Sequence, residues 1–131
     1  MDRMDFLDYL DQKDIDLLAA LGDYHEWANS YFKDVNARSS PLKGNKEREE
    51  FILRALDLFI EFDEKIRTEY NEDIVNVLID PYGNIAFNVS LGLAAIGEKE
   101  KALMTLLQGR DTYMEMAIIC DERLLELFGV L

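Results

Sequence analysis

A chain of 131 residues with 49% hydrophobic and 31% charged residues can bury one core of its own, which excludes wholesale disorder. One cysteine, Cys120, excludes an intramolecular disulfide and fits a reducing, cytoplasmic compartment. Twenty-seven acidic against fourteen basic residues leave a net charge of −13, a field that repels nucleic-acid phosphates and anionic lipid.

Membrane insertion is not expected either, because no uncharged apolar run approaches the roughly 20 residues of a span. The start, Met1-Asp2-Arg3-Met4-Asp5, lacks the basic flank and apolar stretch of a signal peptide. Residues 1–131 read as a single helical domain. Residues 2–36 carry nine acids and three bases. Asp2, Asp5, Asp8, Asp11 and Asp14 recur at intervals of three and wind slowly around a helix. They read first as a solvated face with favourable helix-dipole charges. The sharper reading is that Asp2, Asp5, Asp8 and Asp11 form an acidic strip that docks on a basic surface.

A helix follows from about Ile15 to Val35, with Ile15, Leu18, Leu21, Trp27, Ala28, Tyr31, Phe32 and Val35 apolar. Gly22 can break it, since Asp23-x-x-Glu26 is an acidic variant of a capping box. His25 is the only histidine, and without a second to share a metal it reads as structural. Asn36 to Asn45 is a loop in which Pro41 halts the preceding helix and Asn45 caps the next. Arg38, Lys43, Lys46 and Arg48 form the one basic cluster. It has no interleaved aromatics, so it is expected to neutralise nearby acids.

Lys46 to Tyr70 is expected to be the central helix. Nine of the twelve residues from Phe51 to Phe62 are apolar, and Arg54, Asp57, Glu61 and Glu64 leave one narrow polar stripe. Beyond it the reading forks. Asp80-Pro81-Tyr82-Gly83 has the residues of a type I turn between two alternating runs, which gives an α+β fold with one β-hairpin at 74–90. The favoured reading is a helix with Asp80 as N-cap and Pro81 at its first position, because no third strand is visible. Glu98 to Gln108 is amphipathic and stopped by Gly109. Thr112-x-x-Glu115 opens a last helix that runs to Phe128. The expected fold is therefore all-α, an antiparallel helical bundle or a short stack of helix pairs around residues 46–70.

Residues 80–109 resemble one tetratricopeptide (TPR) helical hairpin. Small Ser90 falls where the helices touch, Ile96-Gly97 at the turn, and Ala102 at the close contact of the second helix. Leu21-Gly22-Asp23-Tyr24-His25-Glu26 echoes the same turn. Trp27 and Ala86 depart from the pattern, and the signature is not sustained along the chain. The resemblance implies a scaffold whose first helices line a groove for an extended peptide, with Asn84, Phe87, Asn88 and Leu91 facing it.

No glycine-rich phosphate loop, Cys/His constellation, His-Glu-x-x-His motif or serine elbow is present in the sequence. No cofactor, metal site or catalytic residue is expected, and the chain reads as a non-enzymatic protein–protein interaction module. Its partner would be another protein, with a basic surface or an extended peptide, and homo-oligomers are compatible with the composition. Two alternatives stand beside it. One is an acidic inhibitor that mimics nucleic acid, as in phage or mobile-element anti-defence proteins. The other is a small all-α metal-dependent nucleotide pyrophosphohydrolase, using Glu47-x-x-Glu50 or Glu61-x-x-Glu64 with a second acidic pair near Glu69, Glu72 and Asp73.

Overall fold

A computed structural model describes residues 10–112, and among these the chain forms four α-helices and a 3₁₀ turn with no strand. The helices are α1 (Gln12–Tyr31), α2 (Lys46–Thr68), α3 (Glu72–Ala95) and α4 (Lys99–Thr112), with the 3₁₀ turn at Val35–Arg38. The all-α reading holds and the β-hairpin does not form. Residues 113–131, with the expected last helix, lie outside the described residues, as do Asp2, Asp5 and Asp8.

The start of α1 is fixed by a reciprocal capping box. Asp11 Oδ1 accepts from the Asp14 amide at 2.9 Å, and Asp14 Oδ2 accepts from the Asp11 amide at 3.2 Å. The fresh start expected at Asp23 is not used. Leu17, Leu21, Tyr24 and Ala28 bury one continuous face across Gly22, and that burial outweighs the helix-weakening glycine. The helix ends at Tyr31, short of Val35, which is exposed in the turn that follows.

Asn45 caps α2 as expected, accepting from the Arg48 amide at 3.2 Å. The polar stripe of Arg54, Asp57, Glu61 and Glu64 faces solvent, while Ile52, Ala55, Phe59, Phe62 and Ile66 are buried. Ile60 breaks the pattern at 55% exposure. The most enclosed helix is α3, with fourteen buried residues against six in α2. Every residue from Asn88 to Ala95 is buried. Four of these (Ser90, Gly92, Ala94, Ala95) are small, so neighbouring backbones can approach from all sides. α3 touches α1, α2, α4 and the 3₁₀ turn.

The boundary expected at Asp80-Pro81 is also absent, because α3 runs unbroken from its Asn71 cap through Pro81. Ile74, Leu78, Tyr82, Ile85, Ala86 and Val89 are buried at helical spacing on both sides of the proline, whose ring is exposed. Continuous burial thus offsets the hydrogen bond the proline cannot donate. Nor does Gly109 stop α4, which passes through it to Thr112. The α3–α4 turn is made by Gly97 at φ 83°, with Glu98 N donating to Leu93 O at 2.8 Å.

Three polar links tie the helices together. Tyr24 donates its hydroxyl to Asn88 O at 2.5 Å, and a Cβ on Gly92 would lie 2.3 Å from that same hydroxyl. Buried Asp63 accepts from the Tyr82 hydroxyl at 2.5 Å, Arg67 Nε at 2.9 Å and Gln108 Nε2 at 2.9 Å. Asp14 accepts from the Tyr70 hydroxyl at 2.9 Å and from Lys65 Nζ at 3.0 Å, clasping the start of α1 to the end of α2. The 36–45 loop is pinned to the end of α3 by Leu42 N to Ala95 O at 3.0 Å and Ser40 Oγ to Ala94 O at 3.3 Å.

Candidate functional site

The four residues expected to contact a peptide come together. Asn84, Phe87, Asn88 and Leu91 project at helical spacing from α3 into an open groove of about 490 Å³. The opposite wall is the end of α1 and the residues just past it, chiefly Asn29, Phe32 and Lys33, and Arg38 of the 3₁₀ turn closes one side. Leu91 and Phe32 are buried and form the apolar floor, Phe87 is half-buried, and Asn84 is exposed. The sequence placed α3's contribution but not the facing wall.

Arg38 is held in position rather than left to swing. Its Nε donates to Phe32 O at 3.1 Å, and its guanidinium lies 5.7 Å from the centre of the Phe87 ring. Arg48, on the other side of α1, stacks on Trp27 and Phe51 at 4.9 and 5.4 Å. The basic cluster therefore does more than neutralise acids: two of its members cover aromatic faces. Trp27 and Phe87 come from other elements than the arginines that cover them, which the sequence does not pair, whereas Phe51 lies only one helical turn from Arg48.

His25 does not itself line the groove, but both of its ring nitrogens face residues that do, Asn88 and Asn29. Its Nδ1 lies 2.7 Å from Asn88 Nδ2, and its Nε2 lies 3.2 Å from Asn29 Nδ2. Asn88 Nδ2 also lies 3.2 Å from Asn29 Oδ1, which completes a triangle of three polar side chains. Burial pushes the His25 pKa below its ordinary value and favours the neutral ring. Asn29 and His25 are one helical turn apart, and that spacing beside Trp27 was the available signal.

A second cleft, of about 360 Å³, opens between α2 and α4. Its wall includes Leu56, Ile60, Met104 and Thr105, with the Asp63–Arg67–Gln108 cluster at one end. The chain passes beyond the described residues at the end of α4, the helix that walls this cleft. Elsewhere, Asp11 is exposed, but its carboxylate is engaged as the α1 cap. Glu47, Glu61, Glu64, Glu69, Glu72 and Asp73 do not converge. Among the described residues no three His, Cys, Asp or Glu side chains group at metal-binding distance. No helix among them is long and apolar enough to cross a membrane.

The chain matches no protein-family model, and no curated protein or solved structure matches it significantly.

Proposed function

We propose that the chain is a non-enzymatic, cytoplasmic interaction module that takes an extended segment of a partner protein into the groove between α1 and α3. The observation that carries this reading is the composition of that groove. An apolar floor of Phe32 and Leu91 lies beside carboxamides from both walls, Asn29 and Asn88, with Asn84 on the open side. Apolar floors take side chains, and carboxamides offer both a donor and an acceptor to a peptide backbone. In the α3–α4 hairpin Ser90 and Ala102 are fully buried and Gly97 makes the turn, so α3 stands as one wall of the groove.

The acidic-mimic reading draws less support. Its described member, Asp11, already spends its carboxylate on the helix cap. The two readings differ in what weakens binding. Asn84 is exposed, so Asn84→Arg leaves the fold intact and obstructs the groove. Partner binding is expected to fall about tenfold or more on this substitution, the equivalent of about 1.4 kcal/mol, and to weaken only modestly at high salt. Binding that ignores Asn84→Arg but collapses at high salt would instead favour acidic docking.

A further inference from the structure

We propose that His25, Asn29 and Asn88 form a clamp for the backbone C=O and N–H of one residue of an extended partner segment, closed while His25 is neutral and released when it is protonated. The proposal rests on the groove reading above and adds the contact chemistry and its regulation. Its basis is a hydrogen-bond parity. Each carboxamide has one donating and one accepting end, and a neutral imidazole has one donating and one accepting nitrogen.

Follow the three contacts around the triangle. If His25 Nδ1 accepts from Asn88 Nδ2, then Asn29 Oδ1 accepts from the same amide, which turns Asn29 Nδ2 toward His25 Nε2. The neutral ring then carries its proton on Nε2, so two donors face each other across 3.2 Å. If Nδ1 carries the proton instead, both amides must turn over, and two acceptors meet at the same place. A neutral His25 satisfies two of the three contacts and never the third.

In the first arrangement the mismatch falls on the exposed side of the triangle, where Nε2–H and Asn29 Nδ2 converge as two donors. That arrangement also leaves Asn88 Oδ1 with no hydrogen-bond partner among the described residues, on a side chain only 4% exposed and lining the groove. An unanswered acceptor at such burial is costly. One residue of an extended segment offers what is missing on a single side: its carbonyl oxygen for the donor pair and its N–H for Asn88 Oδ1.

Protonation removes this complementarity. An imidazolium donates from both nitrogens, so with both amides turned over all three contacts close internally and the donor pair disappears. Asn88 faces the ring from α3 and Asn29 from its own helix. The charged groups lining the groove are Glu26 of α1, Lys33 just past its end and Arg38 of the 3₁₀ turn, and α3 supplies none. Lys33 and Arg38 make the groove locally basic within a chain of net charge −13, which favours a segment carrying an acidic side chain at the clamped residue.

The single histidine makes the test unambiguous. N-acetylaspartate N-methylamide is titrated into the ¹⁵N-labelled full chain, reading the imidazole nitrogens and the Asn29 and Asn88 side-chain amides. Above the His25 midpoint the free protein is expected to hold the Nε2–H tautomer, and the probe to shift all three sets of signals. Below the midpoint the apparent affinity is expected to drop about tenfold, and Asn29→Ala, at an exposed position, to abolish the response at either pH. An Nδ1–H tautomer, a pH-independent response, or an equal response to sodium acetate would overturn the clamp. A partner whose binding depends on Asn84 but is indifferent to Asn29→Ala and to pH would overturn the clamp and leave the groove reading standing.

Discussion

At the scale of single residues the sharpest constraint is the approach of Tyr24 to Gly92. A methyl group at position 92 would meet the Tyr24 hydroxyl at 2.3 Å and Ile52 Cγ2 at 3.0 Å, and neither has open space to retreat into. Gly92→Ala is expected to destabilise the fold by about 1–3 kcal/mol, the range for overpacking a close-packed core. Tyr24→Phe alone should cost about 1 kcal/mol for the lost hydrogen bond. The double variant should recover part of the Gly92→Ala loss, because the obstructing oxygen is gone, and urea melts of the four proteins read that coupling. Strict additivity would remove the steric explanation. A second residue-scale expectation concerns acid. Burial alone would raise the Asp14 pKa, but hydrogen bonds from Lys65, Tyr70 and the Asp11 amide outweigh it and hold it below the ordinary 3.8. The folded pKa lies below the unfolded one, so the stabilisation is complete above the unfolded value and fades as pH falls through the folded value. Asp14→Asn should therefore lower stability at neutral pH and flatten its decline in acid. An unchanged acid limb in thermal melts would assign that decline to other groups.

At the scale of elements, two of the three helices that cross expected breaks, α1 and α3, test one idea, that burial overrides local propensity. Gly22 is exposed inside α1 and a Cβ there would meet nothing within 4 Å. Gly22→Ala should stabilise by about 0.5–1 kcal/mol. Pro81 is exposed inside α3 and denies the helix one hydrogen bond. Pro81→Ala should raise stability by up to about 3 kcal/mol unless the packing of Tyr82 requires the proline's local geometry. A loss of stability would show that it does. These positions also mark where the sequence was readable. The Asn45 cap and the polar stripe of α2 were legible because each depends on neighbours a turn or less away. Gly22 and Pro81 misled because turn chemistry is local, while the faces that carry α1 and α3 through them are buried by other segments. The run Ser90-Leu91-Gly92-Leu93-Ala94-Ala95 held the best unread signal. Small residues on every side of a helix mean neighbours on every side, which makes α3 more enclosed than α2.

At the scale of the whole molecule, the fold sets two kinds of surface apart. The acids that give the net charge of −13 include an outward stripe on α2, whereas the groove between α1 and α3 gathers carboxamides, aromatics and two of the scarce basic residues. One side of that groove was named in advance only through the tetratricopeptide resemblance, which implied Asn84, Phe87, Asn88 and Leu91 on one face of one helix. The facing wall was not, since Asn29, Phe32 and Arg38 lie about fifty residues away and nothing local pairs them with α3. The measurement that bears most directly on the groove is site-specific photo-crosslinking in extract from the native host. A benzophenone side chain would be placed in turn at Asn84 on the groove, Met104 on the α2–α4 cleft and Glu61 on the acidic stripe. One protein crosslinked at position 84, absent at 61 and 104, and lost when Phe87→Ala is added, is the expected outcome. The same protein crosslinked equally at all three positions, or at 61 or 104 and never at 84, would place recognition elsewhere on the molecule.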